Sequence, residues 1–335
     1  MGRATWVVAV LAGCSFAPQD SRDGAVGHDV LVGQDVIVGR DGGMDAGSGS
    51  GSGSQPCLAR WHDGSMAWGS PVELTELETA AVQVFGDPFV GSDELTIYFG
   101  GLGSDQANED IFMATRAALG DPFGAPQLFA PASLPASAES KFSLSDDQLQ
   151  FVVASDRSGG KGGADIWLSK RSGSSASFPA PAEAKLMSVD DSKNQYDPAL
   201  APNGEAIYFA PDTLGNQRIF VTTRANDAAS FGSATEVPNV STGAGDADPS
   251  TSADGTILVF STGRVAGHSN DIFYALRDGS GDFGPGNPIP GPAIDTTDFE
   301  ADPIIGRTGC RLYFKSDRSG HDAIWVSTMT NGSEP

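Results

Sequence analysis

The sequence predicts an all-β fold: a five-bladed β-propeller of four-stranded blades, closed by an N-terminal strand that completes the last blade. One observation is a pair made of isoleucine and an aromatic residue, which recurs every 52 to 55 residues. A second is that no helical pattern fills these intervals, and such repeats are typical of stacked or radial β-architectures. A third is the order of the segments, because the chain begins with a segment of the type that its last repeat lacks. The five pairs are Ile111-Phe112, Ile166-Trp167, Ile219-Phe220, Ile272-Phe273 and Ile324-Trp325.

Each repeat divides into four short β segments, and the repeats lie near residues 87–129, 139–184, 197–237, 248–289 and 302–328. The first segment is predicted to follow an Asp-Pro pair, whereas Glu139-Ser140 stands at that place in the second repeat. A tight turn, a β-branched and aromatic segment, and the isoleucine pair come next. A fourth segment opens with an aromatic and a small residue. The four Asp-Pro pairs are Asp87-Pro88, Asp197-Pro198, Asp248-Pro249 and Asp302-Pro303.

The ends of the repeat array predict a closed ring. An additional aromatic start, at residues 68–74, precedes the first Asp-Pro pair, and the last repeat stops after Trp325-Val326 without a fourth segment. If residues 68–74 complete the last blade, five blades form with no remainder. A ring also leaves no open sheet edge of the kind that invites aggregation.

The repeats resemble those of the TolB-like propellers, distant relatives of WD repeats. The resemblance rests on the run Ser155 to Gly160 followed by Asp165-Ile166-Trp167, and on Ser316 to Gly320 before Ile324-Trp325. Repeats one and three lack the arginine of this pattern. The resemblance covers residues 68–328 and implies the fold, while it says little about activity because propellers host many roles.

The N-terminus resembles a bacterial lipoprotein signal. Leu11-Ala12-Gly13-Cys14 follows a short apolar run and is similar to a lipobox, which implies a signal peptide at residues 1–13 and a lipid on Cys14. Residues 14–56 are rich in Gly, Ser and Asp and predict a disordered tether, although two hexad copies within it are also compatible with a calcium-binding or β-solenoid fragment. The propeller is then residues 57–335. This resemblance implies an extracytoplasmic protein of the outer membrane or cell envelope, in contact with the membrane through its lipid alone.

Charge and cysteine content narrow the partners. The formal net charge of −23 argues against nucleic acid, which needs clustered Lys and Arg. Cys57 and Cys310 fall near the two pieces of the last blade, so a disulfide between them would lock the ring in an oxidising compartment. Two unpaired cysteines are the alternative, because a sequence gives no Cα distance. We expect a monomer.

No pattern in the sequence predicts a catalytic residue, a metal site or a cofactor. Glycosidases on propellers use paired carboxylates near 5–5.5 Å or 6.5–9.5 Å apart. However, four of five repeats carry the Asp of the Asp-Pro pair, and a catalytic pair should break a repeat. A structural role for these carboxylates is therefore favoured over chemistry.

The loops that join the second and third segments predict a binding face on the side of the Asp-Pro pairs. The alternative is that its three arginines pair with neighbouring acidic residues and hold the blades together. The candidate residues of this face are Asp87, Asp156, Arg157, Asp197, Asp248, Arg264, Asp302, Asp317, Arg318 and His321.

These observations favour a non-enzymatic, lipid-anchored binding or scaffold protein for a protein or glycan partner in the cell envelope. One alternative is a glycosidase or lyase that acts on an envelope or external polysaccharide. Another is a lectin-like domain with one sugar site per blade. Whether the channel carboxylates are free or engaged with each other separates the first two hypotheses.

Overall fold

The computed structural model describes residues 56–104, 108–183, 194–211, 216–291 and 293–333. In these residues, five four-stranded antiparallel sheets form the blades of a propeller, and each inner strand contacts the inner strands of both neighbouring blades. The predicted signal peptide, Cys14 and the tether up to residue 55 lie outside the described residues. No helix in the described ranges is long and apolar enough to cross a membrane.

The elements follow the chain in a regular order. Helix α1 (Cys57–Asp63), strand β1 (Val72–Glu73) and a 3₁₀ turn (Thr75–Leu77) come first. Blade one is β2 (Val82–Val90), β3 (Thr96–Gly103), β4 (Asp110–Thr115) and β5 (Gln127–Leu128). Blade two is β6 (Glu139–Leu144), β7 (Gln150–Ser155), β8 (Asp165–Lys170) and β9 (Ala182–Glu183). Blade three is β10 (Gln195–Leu200), β11 (Ala206–Pro211), β12 (Phe220–Thr223) and β13 (Thr235–Glu236). Blade four is β14 (Ala247–Thr251), β15 (Ile257–Thr262), β16 (Asp271–Leu276) and β17 (Asn287–Pro288). Blade five is β18 (Glu300–Ile305), β19 (Arg311–Ser316) and β20 (Ala323–Thr328), with β1 as its fourth strand.

The ring closes as the sequence predicts. Strand β1 pairs antiparallel with β20, with Val72 opposite Val326 and Glu73 opposite Trp325. An isolated bridge between Trp68 and Met329 extends this contact towards the N-terminus. The outer edge of blade five is thus covered by a strand from the other end of the propeller.

The Asp-Pro pairs lie inside the inner strands and not before them, which corrects the predicted start of the first segment. In blade one, for example, β2 begins at Val82 and contains Asp87-Pro88. The pairing register shifts around each pair, which marks a β-bulge. Proline has no N–H to give to the ladder and aspartate tolerates a positive φ, so this dipeptide suits a bulge inside a strand. The four aspartates have φ between 52° and 57°.

Helix α1, which the sequence did not predict, covers blades four and five. Cys57 opens the helix and forms a disulfide with Cys310, with the Cα atoms 5.1 Å apart. The buried Trp61 donates from Nε1 to the Gly309 carbonyl over 2.9 Å, and its ring lies edge-on to Tyr274. The N-terminal end of the propeller is therefore joined to its last blade by a covalent bond, a hydrogen bond and strand pairing, and to blade four by aromatic packing.

Candidate functional site: the channel and its acidic mouth

The inner strand of blade two carries Lys141 where the other blades carry the aspartate of the Asp-Pro pair. Lys141 has φ 46°, and the register of β6 against β7 shifts at this residue. Glu139 pairs with Ser155 as Glu300 pairs with Ser316 in blade five, so Lys141 is the equivalent of Asp302. The sequence-based alignment of Glu139-Ser140 with the Asp-Pro pairs is therefore wrong by two residues. Without a proline to mark the bulge, its position could not be read from the sequence.

Lys141 lies at the centre of the carboxylates from the other blades, and we call Lys141 with Asp87, Asp197, Asp248 and Asp302 the channel cluster. Its Nζ donates to Asp302 Oδ1 over 3.0 Å and lies 3.8 Å from Asp87 Oδ1 and from Asp248 Oδ1. The whole lysine is 5% exposed. Burial lowers the pKa of Lys141, but the negative charges of the aspartates, with Asp197 as the fourth, outweigh burial and raise that pKa.

The channel cluster shifts the pKa values of its aspartates in opposite directions. Burial and the charge of Asp302 raise the pKa of Asp87 well above its ordinary value, and burial with the same neighbour does so for Asp248. Burial also raises the pKa of Asp302, but Lys141 and the carboxyls of Asp248 and Asp87 outweigh it and hold that pKa below its usual range. Lys141 and Asp302 thus form an ion pair, and the neighbouring carboxyls of Asp87 and Asp248 are harder to ionise than ordinary aspartates.

The spacing of these carboxylates suits a cation. One oxygen each of Asp87, Asp248 and Asp302 lies within 4.8 Å of the others, an arrangement that can hold a metal ion. Glycosidase carboxylates instead flank a bond of the sugar and act on it directly. Lys141 Nζ already contacts the same three oxygens, so a side chain of the protein supplies the cation that such a cluster attracts.

A cavity of about 340 Å³ lies on the channel cluster and opens between blades one and five; we call it the acidic mouth. Beyond the cluster aspartates and Ala301, its lining consists of Phe85, Glu109, Phe299, Lys315 and Asp322. Glu109 and Asp322 lie just before the third strands of their blades, so the mouth is on the loop side that the sequence predicts as the binding face.

Charges in the acidic mouth are partly balanced. Lys315 Nζ lies 3.0 Å from Asp322 Oδ2 and 5.7 Å from the centre of the Phe299 ring. Burial, with the charge of Asp302, raises the pKa of Glu109 to about 7. Glu109 therefore gains or loses its charge in the neutral range.

Two glycines of blade one make room for the side chains of the mouth. A Cβ at Gly100 would lie 2.4 Å from Glu109 Oε1, and one at Gly86 would lie 2.6 Å from Lys315 Cδ. Gly86 also has a φ of 138°, which L side chains rarely adopt. Any larger residue would displace a charged group of the mouth.

The opposite end of the channel is much narrower. A cavity of about 60 Å³ lies there, between the turns that follow the inner strands. Asp146, at one of these turns, pairs with Arg307 of blade five. Within the channel, a ligand of more than a few atoms therefore fits at the loop side rather than at this end.

The three arginines of the predicted face lie away from the mouth and bind within their own blades. Arg157 Nη2 donates to Glu139 Oε1 over 3.1 Å and Arg318 Nη2 to Glu300 Oε1 over 3.0 Å. Arg264 pairs with Asp246 in the same way. Each arginine also donates to a carbonyl in the linker that precedes its blade: that of Ala132, Val240 or Ile294. Each lies over an aromatic ring of the third strand, that of Trp167, Phe273 or Trp325.

The other predicted face residues make local contacts. Asp156 Oδ1 accepts the amide of Ala138 over 2.8 Å, and Asp317 Oδ1 accepts that of Phe299 over 2.9 Å. His321 Nε2 lies 3.4 Å from Glu73 Oε1. The structure thus brings four of the ten predicted residues together, namely Asp87, Asp197, Asp248 and Asp302, and places the other six in separate blade contacts.

The fold and the channel define the chain as a five-bladed β-propeller. No protein-family model and no curated protein matches it. Among solved structures it is similar to an α-L-arabinofuranosidase from Podospora anserina in complex with cellotriose, at 11% identity and a TM-score of 0.55, over 80% of this chain and 98% of that one.

The chain is also similar to TolB from Acinetobacter baumannii, at 14% identity and a TM-score of 0.49, over 77% of this chain but only 57% of that chain. A putative TolB from Agrobacterium tumefaciens matches at 15% identity and a TM-score of 0.47, over 80% and 87% of the two chains. The predicted TolB-like propeller is confirmed at the level of the fold. Likeness at these identities extends to the fold and no further.

Proposed function

We propose that the chain is a non-enzymatic binding module of the cell envelope, whose acidic mouth receives a positively charged segment of a protein partner. The observation that carries this proposal is the shape and chemistry of the mouth: about 340 Å³, lined by carboxylates and two phenylalanines, and closed below by the channel cluster. The net charge of −23 adds long-range attraction for such a partner.

The lining suits a Lys or Arg side chain in particular. The rings of Phe85 and Phe299 offer an apolar wall for an aliphatic stem, and the carboxylates of Glu109 and Asp322 offer acceptors for a charged head. Lys315 already contacts Phe299 and Asp322 in this manner, so a cation of the protein itself illustrates the mode of binding.

The geometry supports binding over glycoside hydrolysis or a lectin-like function. Lys141 lies 3.0 to 3.8 Å from the carboxylates of Asp302, Asp87 and Asp248, so a cation of the protein already engages the groups that a glycosidase would need free. The lining of the described mouth comes mainly from blades one and five, whereas a lectin with one site per blade would repeat it.

A location outside the cytoplasm is part of the proposal. The Cys57–Cys310 disulfide supports an oxidising compartment, because cytosolic thiols are kept reduced. The lipid on Cys14 would hold the propeller at a membrane of the cell envelope, and the monomer would present its mouth to the partner.

The test is a titration of the protein with short labelled peptides that differ only in charge, followed by fluorescence anisotropy. We expect Lys- or Arg-containing peptides to bind, acidic ones not to bind, and the affinity to fall as salt rises. Glu109→Gln combined with Asp322→Asn should weaken binding by at least ~5-fold, which corresponds to one or two charge-assisted contacts. Asp227→Asn removes a carboxylate that pairs with Lys170 away from the mouth and is the matched control.

Two results would overturn the proposal. One is equal binding of basic and acidic peptides, or equal loss in the control. The other is cleavage of a polysaccharide that Asp87→Asn abolishes. Asparagine keeps the shape of Asp87 without its charge, and lost cleavage would give Asp87 a role in the reaction.

A further inference from the structure

A second cluster lies between blades four and five, outside the channel. His268 is on the loop before β16, Asp271 is the first residue of β16, and Asp295 is on the linker to blade five. One ligand atom from each residue lies within 4.8 Å of the other two. The cluster belongs to neither the channel cluster nor the acidic mouth.

Two carboxylate oxygens of this cluster are buried without a hydrogen bond. Asp271 is 0% exposed; its Oδ1 lies 2.6 Å from His268 Nδ1, whereas Oδ2 has no hydrogen-bond partner among the described residues. Asp295 Oδ1 is buried and also without a partner in the described part of the chain. A buried carboxylate oxygen left without a donor costs free energy, and a proton or a cation close to both carboxylates would remove that cost.

We propose that His268, Asp271 and Asp295 form a site for a first-row divalent cation of the Zn²⁺ type. Imidazole nitrogen and carboxylate oxygen are both zinc ligands, and three protein ligands with water in the fourth position form a common tetrahedral arrangement. Calcium prefers six to eight oxygen ligands, so this mixed set favours zinc over calcium. The side chain of His268 is 26% exposed, which leaves access from solvent.

The scaffold fixes two of the three ligands. Asp271 pairs with Thr262 in the β15–β16 ladder, which holds its backbone. The linker that carries Asp295 is held by Arg318, which donates to the carbonyls of Ala293 and Ile294 over 2.8 and 2.9 Å. A cation would thus join the loop of blade four to the linker of blade five. Such a bridge stabilises the folded state, since the unfolded chain lacks the assembled site.

Blade five supplies a matched control. Its equivalent loop also carries a histidine, His321, but Ala323 stands where blade four has Asp271. His321 lies near Glu73 and Ser319 instead. A histidine of the same loop type is therefore present without the pair of carboxylates.

The experiment uses the untagged protein, because tag histidines bind zinc, after treatment with a chelator and its removal. Calorimetry with Zn²⁺ alone should give one site per chain, and Zn²⁺ should raise the melting temperature. His268→Gln and Asp295→Asn should each weaken Zn²⁺ binding by at least ~10-fold, whereas His321→Gln should leave it unchanged. Co²⁺ should give visible absorption bands that the first two variants lose.

Three outcomes would overturn the site. The first is no stoichiometric binding by the wild type. The second is equal binding by wild type and the Asp295→Asn variant. The third is a metal-independent gain in stability of Asp295→Asn, which would identify a pair of carboxyls that share a proton. Because asparagine keeps the shape of aspartate and adds no charge, this variant is expected to fold and to give a clear answer.

Discussion

Blade two and the other four blades have the same bulge in the inner strand but opposite charge at the bulged residue. Lys141 and the four aspartates all have φ between 46° and 57°, so the backbone is conserved within the ring. Four carboxylates in a narrow channel would repel each other, and the single lysine turns this repulsion into attraction. The comparison shows that one departure from a structural repeat determines the electrostatics of the whole ring.

The largest loss in the free energy of unfolding is expected when the positive charge of Lys141 is removed from the channel cluster. Lys141→Met keeps the length of the side chain but leaves the aspartates without a cation, and removal of one partner from a buried ion pair typically costs about 3–5 kcal/mol. Urea unfolding at pH 7 measures the change in the free energy of unfolding. Lys170→Met, at an exposed ion pair with Asp227, should have no measurable effect. Equal effects of the two variants would contradict the comparison.

Removing the disulfide tests whether ring closure and the charges of the channel cluster contribute to stability independently. The Cys57→Ser and Cys310→Ser double variant removes a crosslink between positions 253 residues apart. We expect a loss of roughly 2–5 kcal/mol, because the unfolded chain gains entropy. Unfolding curves at several pH values should shift together. If the pH dependence changes as well, closure and the channel cluster are not independent.

The ion pair between Arg318 and Glu300, which recurs in similar form in other blades, can be compared with the contacts of Lys141, which occur in blade two alone among the described blades. Glu300→Gln keeps the shape of the partner of Arg318 but removes its charge, and a charge-assisted hydrogen bond of this kind contributes about 1.5–3 kcal/mol. Chemical denaturation measures the loss, which should be smaller than that of Lys141→Met. The reverse order would mean that the outer contacts, and not the channel cluster, hold the blades together.

The smallest expected effect is the contribution of Glu109 to the pH dependence of the melting temperature. The folded-state pKa of Glu109 is raised to about 7, so the folded protein holds this proton more tightly than the unfolded chain does. Its contribution to stability is present below the ordinary pKa and is lost as pH rises towards about 7. Glu109→Gln should reduce the fall in melting temperature between pH 5 and pH 8 by a few degrees, roughly 2–4 °C per kcal/mol. The pKa values of Asp197 and Asp295 are also raised, so these residues contribute to the same pH dependence of stability. The contribution of Glu109 is therefore the difference in pH dependence between variant and wild type.

The repeat pattern predicted the ring, its blade number and its closure by residues 68–74, because hydrophobic periodicity and phase are local properties of the sequence. The pattern failed at residue 141, where the missing proline hid the bulge. It also gave no sign of the helix that begins at Cys57, which depends on tertiary packing of Trp61.

The candidate site was predicted in part. The Asp-Pro aspartates meet in the channel because ring symmetry brings equivalent residues to the axis. Lys141, Glu109, Lys315 and Asp322 were missed, since their proximity depends on contacts between blades one, two and five. The one available signal was the departure of repeat two from the Asp-Pro pattern.

Moving the lysine to another blade tests the central claim most directly. Lys141→Asp leaves five carboxylates in the ring, and adding Asp302→Lys restores one lysine among four aspartates. A double-mutant cycle on the free energy of unfolding at pH 7 gives the coupling between the two positions. If the ring needs one cation from any blade, the double variant should regain at least half of the stability that Lys141→Asp loses. If the losses in the free energy of unfolding of the two single variants add up in the double variant, the position of the lysine matters and the claim that any blade can supply the cation is contradicted.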